Sequence, residues 1–454
     1  METTMTRRVV VLAAAFAIVI AACSSGATSA PAGGASSAPA GGASSAPSAA
    51  GSADLSGKTV TVYGAFGAPE SDQFNLAVKP FEDATGVTVK YTGDKNFEQD
   101  LNVRIQAGNP PDVALLPQPG SMAQYAAQGK LVPLPADIVA SIDTNYGPGW
   151  KEIGTAADGK VYGVFHRVNI KGMVFYPKVA FDAKGYTVPT TWDQLTALET
   201  KMAADGTPPW CIGLESGAAS GWPATDWVEQ LMLRTVGVAG YDKWTLHQIP
   251  FTDATVQNAV QIVSDIWTHP GWVYGGAPYM VATNFGDAPK NMFTTPPKCW
   301  LTDQGDFITS FFPDAAQKDL DNQVGVFPLP AYTAAGGAPI EVGGDQLVSF
   351  ANRPEIWAFL KYMTTPQAGV SWEKAGGALF PYKNQDISNY PSKIYQQFAQ
   401  TLASATEVRF DASDQMPAQV GSAGAFSKEM VNLFNGQEDI PTALKNIEAA
   451  WPSP

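Results

Sequence analysis

Beyond residue 58, apolar and polar positions alternate between a period of two and a period near 3.6. Residues 59–63 read TVTVY, β-branched and strictly alternating, which predicts a strand. Over 70–85, Phe74, Val78 and Phe81 share one helical face, Gly86 supplies a stop, and Pro80 is a point for a kink. A second strand is expected over 87–92, a helix over 97–107 closed by Gly108, and a short apolar strand over 112–116. Pro117-Gln118-Pro119-Gly120 follows, then a helix over 121–128 that ends at Gly129. Strand, helix, strand, helix, strand at this spacing predicts a parallel sheet covered by helices.

A second region opens near Val168. Residues 169–176 (NIKGMVFY) read as a strand crossing out of the first unit. Thr191-Trp192-Asp193-Gln194 has capping-box spacing, and Leu195, Leu198 and Met202 form the inner face of the helix it starts. Pro223 sits where a first-turn proline opens a helix, which Gly237 should end. Further helices are expected over 252–268, with Val256, Val260, Val263 and Trp267 in register, over 354–363, and over 440–451 through Leu444 and Ile447. A strand over 324–329 and the phrase Glu341-Val342-Gly343-Gly344-Asp345 lie between them.

The N-terminus follows different rules. Arg7 and Arg8 precede an unbroken apolar run over 9–22, 14 residues long, which is short for a membrane span and suits a signal segment. It ends in Ile20-Ala21-Ala22-Cys23, which resembles a bacterial lipobox and implies acylation of the Cys23 thiol with cleavage before it. A plain secretory peptide with an incidental Cys23 is the alternative. Residues 24–53 contain only Ser, Gly, Ala, Thr and Pro, and SAPAGGAS occurs at 29–36 and again at 37–44. Such a stretch buries no core and reads as a tether with a root-mean-square reach of roughly 30 Å. The expected organisation is a signal peptide over 1–22 and a lipidated, disordered tether over 23–57, followed by folded chain.

Composition adds limits. Hydrophobic residues are 45% and charged residues 15% of 454, so a core of normal size is available. A net charge of -14 argues against nucleic acid or anionic lipid as the main partner. The chain has 3 cysteines; with Cys23 acylated, Cys211 and Cys299 remain in an oxidising compartment and are expected to pair. Their loop would contribute on the order of 4 kcal/mol, against the alternative of two buried thiols.

Several phrases now align with one family: Phe81-Glu82-Asp83-Ala84-Thr85-Gly86, Asn109-Pro110-Pro111-Asp112-Val113, Leu115-Leu116-Pro117-Gln118-Pro119-Gly120, Trp210-Cys211-Ile212-Gly213, Gly221-Trp222-Pro223-Ala224-Thr225-Asp226-Trp227 and Gly343-Gly344-Asp345. Together they resemble family 1 extracellular solute-binding proteins of ABC sugar importers, in the alpha-glucoside-binding branch. The resemblance implies an α/β two-lobe clamshell of the type II periplasmic-binding-protein kind, with a hinge and a central cleft. Lobe 1 would comprise 58–167 plus 342–383, and lobe 2 would comprise 168–341 plus 384–454. It also implies a monomeric, extracytoplasmic receptor, lipid-anchored to the membrane, that hands sugar to ABC permease subunits served by a separate ATPase. No cofactor and no metal are expected.

A sugar presents C–H faces to aromatic rings and hydroxyls to fixed planar donors and acceptors. In open α/β sheets ligands lie beyond the carboxyl ends of the strands, which selects Phe66 and Glu70 after the first strand and Gln118 after the third. In the second region the candidates are Trp222 and Asp226, then Trp300, Asp303 and Gln304 after a short strand. Asp345 follows a glycine pair that permits close approach, and Asp411 lies in a phrase, Arg409-Phe410-Asp411, that resembles the same branch. Around 302–306 the family pattern of histidine and glutamine-alanine-serine is replaced by Thr302, Asp303, Gly305 and Asp306, so the resemblance leaves the sugar open. Two other classes remain: an exported glycoside-active enzyme using paired carboxylates, and a surface adhesin or structural lipoprotein. The 3 histidines show no HExxH spacing, and neither a G-x-S-x-G elbow nor a Walker loop occurs.

Overall fold

The computed structural model describes residues 54–333, 337, 339–405 and 408–452. Cys23, the signal segment and the tether over 24–53 lie outside the described residues, but residues 54–57, expected to be tether, belong to the folded chain: Leu55 packs against the first core and Gly57 N–H donates to Gly86 O at 2.9 Å.

The first sheet is built as the alternating pattern requires. Strands β1 (Thr59–Gly64), β2 (Thr88–Gly93) and β3 (Val113–Leu116) are parallel, with β1 between the other two. Val60 and Val62, with Val113 and Leu115, face Phe74 and Phe81 of the helix Glu70–Thr85. Tyr63, Ala114 and Leu116 face Phe97, Leu101 and Met122 on the other side. Both faces of β3 and of the carboxyl half of β1 are therefore buried, as expected where helices cover a parallel sheet, while Thr61 near the start of β1 stays exposed. The helix Glu70–Thr85 runs on through Pro80 and ends at Gly86 in the left-handed region.

The expectation of a purely parallel sheet is corrected by chain from far downstream. Strands β4 (Val164–Lys171) and β5 (Met173–Pro177) come next; β6 (Thr302–Gln304), β7 (Val324–Pro328), β8 (Ile340–Ser349) and β9 (Val408–Phe410) complete the set. The strand order is β2-β1-β3-β8-β4, with β9 also beside β8. β8 is antiparallel to both β3 and β4. The strand expected over 169–176 is two strands, because Gly172 takes a φ of 70°. A Cβ there would stand 2.3 Å from Gln230 Oε1, so the chain leaves the first sheet at a point that excludes other side chains. β5 then heads a second antiparallel sheet, ordered β6-β5-β7.

That second sheet carries its own core. Val174 and Tyr176 face Leu195, Leu198, Trp210, Trp227, Val260 and Leu444, whereas Met173 and Phe175 point into the first core. The helix opened by Trp222 and Pro223 breaks at Gly237 as expected, where a φ of 69° and a ψ of 178° are not helical, and a second helical segment runs on to Thr245. At the Thr191 cap, the threonine side chain accepts from Gln194 N–H, and Gln194 Oε1 accepts from Thr190 N–H in return. The helix Ala254–Trp267 is capped by the Asp253 carboxylate, and Pro354–Met363 has the expected limits.

Cys211 and Cys299 are disulfide-bonded, with Cα atoms 5.5 Å apart, and both are buried in the core. Reduction should add the mass of two hydrogens to the mature protein. The Cys211→Ser, Cys299→Ser double variant should unfold in denaturant with about 4 kcal/mol less stability, from loss of loop closure. An unchanged unfolding midpoint would mean that the bridge does not form.

Candidate functional site

The strand β4 reads Val-Phe-His-Arg-Val-Asn-Ile-Lys, and all of its residues are buried. At period two, Arg167, Asn169 and Lys171 share one face. The antiparallel register sets Arg167 opposite Asp345, Asn169 opposite Gly343 and Lys171 opposite Glu341. A Cβ on Gly343 would lie 2.7 Å from Asn169 Oδ1 and 3.1 Å from Lys171 Cε, so the glycine clears space over this polar row.

Above the row lies a cavity of about 170 Å³. Its walls include Phe66, Glu70, Glu98 and Gln118 from the loops and helices of the first sheet, and Gly343, Gly344 and Asp345 from β8. Trp222, Phe285 and Phe307 come from the second region, and Asp411, Asp414 and Ser422 from the C-terminal chain. Trp222 stands 5.0 Å from Phe285 and 5.9 Å from Phe307, centroid to centroid, forming one ring wall. Phe66 lies opposite, under the Arg167 guanidinium at 4.4 Å.

Two buried cations organise the charge. Arg167 donates through Nε to Asp345 Oδ2 at 2.9 Å and is paired with Glu70 as well. Burial alone would favour the neutral forms of all three. The Asp345 and Glu70 charges outweigh that penalty at Arg167 and hold its proton more tightly than usual. Lys171 Nζ lies 2.9 Å from Asp226 Oδ1 and contacts Asp411. Burial works against its charge, but Asp226 and Asp411, with Asp414 and Glu341 behind them, hold the ammonium protonated. Burial also pushes Asp226 up to about 7 and raises Glu98, whose partner is Gln118 Nε2 at 3.4 Å. Gln118 Oε1 and Asn169 Oδ1 are buried at the cavity without a hydrogen-bond partner. Asp226, Glu229 and Asp411 offer carboxylate oxygens within 4.8 Å of one another, the spacing of a metal site. Lys171 supplies the positive charge there, and Glu229 accepts from Tyr241 O–H and from the N–H groups of Ala412 and Ser413.

Of the residues selected from sequence, Phe66, Glu70, Gln118, Trp222, Asp345 and Asp411 line the cavity. The structure does not bring the others to its wall. Asp226 stands behind it, holding Lys171. Trp300 is 2% exposed, packed edge-on to Tyr186 in the second core. Asp303 and Gln304 do not lie in a loop. They belong to β6, whose pairing with β5 turns them inward, and neither Asp303 oxygen has a hydrogen-bond partner. Residues that the sequence reading passed over include Glu98, Arg167, Asn169, Lys171, Phe285, Phe307 and Asp414. The alternation of Arg167, Asn169 and Lys171 within apolar neighbours was the available signal for three of them.

Among the described residues no helix is long and apolar enough to cross a membrane. The family model for bacterial extracellular solute-binding proteins matches residues 67–370. The chain is 40% identical over 402 residues to the osmoprotective compounds-binding protein GgtB of Synechocystis sp., covering 88% of this chain and 94% of that protein. It is 39% identical over 408 residues to the alpha-glucosides-binding periplasmic protein AglE of Rhizobium meliloti, covering 88% of each. Among solved structures, the solute receptor AcbH superposes with a TM-score of 0.74 at 22% identity, covering 86% of this chain and 98% of the receptor. A chitin oligosaccharide binding protein gives 0.73 at 20% identity, covering 87% and 98%. With its two sheets, two cores and a cavity where their loops meet, the chain has the type II two-lobe fold and belongs to the bacterial extracellular solute-binding proteins.

Proposed function

We propose that this protein captures a sugar, an alpha-glucoside or related oligosaccharide, between its lobes and delivers it to the permease of an ABC importer. The observation that carries this is the pairing, in one cavity, of the Trp222–Phe285–Phe307 ring wall with the unpaired acceptors Gln118 Oε1 and Asn169 Oδ1. Rings take the C–H faces of a pyranose, and buried acceptors without partners take its hydroxyl protons. The alpha-glucoside assignment follows the Rhizobium relative, an alpha-glucosides-binding protein.

Lobe 1 is assigned to 58–167 plus 342–383 and lobe 2 to 168–341 plus 384–454. Closure pivots on the hinge strands and buries the ligand. Asp345 and Glu70 act mainly by holding Arg167, so removing either carboxylate should cost stability as well as affinity. The protein binds and releases without breaking a bond. Cys23 carries the lipid and the tether over 24–53 gives reach, so the receptor works on the outer side of the membrane, as a monomer and with the ATPase supplied by another polypeptide.

Titration calorimetry with trehalose, maltose and isomaltose should show saturable binding to at least one, with no product in a cleavage assay. Hydrolysis would instead favour a glycoside-active enzyme. Trp222→Ala and Gln118→Ala should each weaken that affinity about tenfold, which is about 1.4 kcal/mol, while thermal unfolding of the empty protein shifts little. Trp300→Ala should do the reverse, losing about 3 kcal/mol or more of stability with the affinity of the folded fraction retained. In cells, Cys23→Ser should move the protein from the membrane pellet to the soluble fraction; retention in the pellet would reject the anchor.

A further inference from the structure

The cavity is unbalanced in charge and in hydrogen bonding. Its wall carries the carboxyl groups of Glu70, Glu98, Asp345, Asp411 and Asp414 but only Arg167 and Lys171 as cations. Those cations are already committed, Arg167 to Glu70 and Asp345, Lys171 to Asp226 and Asp411. Glu98 forms no ion pair among the described residues, and its hydrogen-bond partner is the neutral amide of Gln118. Gln118 and Asn169 are each 5% exposed, and each presents an acceptor oxygen without a donor. Every unmet need on the Glu98–Gln118–Asn169 side is for a donor, and among the described residues no cation is paired with Glu98.

We propose that the cleft takes basic sugars, amino sugars or aminocyclitol glycosides carrying a protonated amine, in preference to their neutral counterparts, with Glu98 as the counter-ion. This rests on the sugar-binding reading above and specifies its ligand class further. A hydroxyl offers one proton to an acceptor, whereas an ammonium offers three and brings the missing charge. In a desolvated cavity a charge-assisted bond to a carboxylate is roughly twice as strong as a neutral one. Glu98 faces Gln118 and feels the charge of Asp345, both from its own lobe. Burial raises its pKa above the usual carboxylate value in the empty cavity, and an ammonium seated beside it would favour the charged carboxylate again.

The test is titration calorimetry of the full folded protein near neutral pH. The probes are trehalose, maltose, isomaltose and the positional monoamino derivatives of each. At least one amine should bind about tenfold tighter than its parent. Glu98→Gln should erase that preference, lowering the amine's affinity more than the neutral sugar's. If a parent sugar binds and all its amines bind equally or more weakly, or if the preference survives Glu98→Gln, this inference fails and the sugar-binding reading stands. If neither parents nor amines bind, the sugar-binding reading fails with it.

Discussion

The pairing of β4 with β8 is the constraint on which the site depends. These strands lie 178 residues apart at the Arg167–Asp345 contact, and their antiparallel register decides which side chains meet. It places a guanidinium in a strand whose residues are all buried, where an unpaired charge would cost several kcal/mol. Glu70 and Asp345 meet that cost together. The same register puts Gly343 over Asn169 and Lys171, where a larger residue would fill the space a ligand needs. Because β8 also touches β3 and β9, this one strand ties the loops of the first sheet to the C-terminal chain bearing Asp411 and Asp414.

Around that strand pair the division of labour is physical. The ring wall is apolar and self-packed, so it is in place before any ligand arrives. The cations are locked by carboxylates, so they lend field and position rather than free donors. What remains for a guest is a set of acceptors with no internal partner. Such groups are costly when buried unless something donates to them, and a receptor that closes over a hydroxyl-rich or basic molecule recovers that cost on binding.

Much of the fold was legible because local rules and tertiary demand agreed. The helix over 70–85 and its glycine stop, the helix over 354–363 and the alternating β1 each follow from periodicity and end signals. The disulfide followed from compartment and count. Phe66, Glu70, Gln118, Trp222, Asp345 and Asp411 reach the wall because each sits at a strand's carboxyl end, at a helix start or beside a hinge strand, where side chains face a cleft. Trp300, Asp303 and Gln304 were read as lying after a short strand; Asp303 and Gln304 instead form an edge strand whose pairing with β5 turns them inward, and Trp300, just before it, packs against Tyr186 in the second core. Arg167 and Lys171 were passed over because charge within an apolar run looks incompatible with burial until its partners are known.

The sequence by itself determined the alternating elements, the family resemblance and an aromatic, carboxylate-rich set of candidates; for its N-terminus it raised the expectation of export and a tether. These depend on neighbours a few residues apart or on composition, which a linear chain records directly. Only the tertiary structure decided that the first sheet is mixed, that the chain crosses at Gly172, and which polar residues meet in one cavity. Those outcomes depend on strand pairing between segments more than a hundred residues apart, where the favourable register is set by burial and charge matching across space.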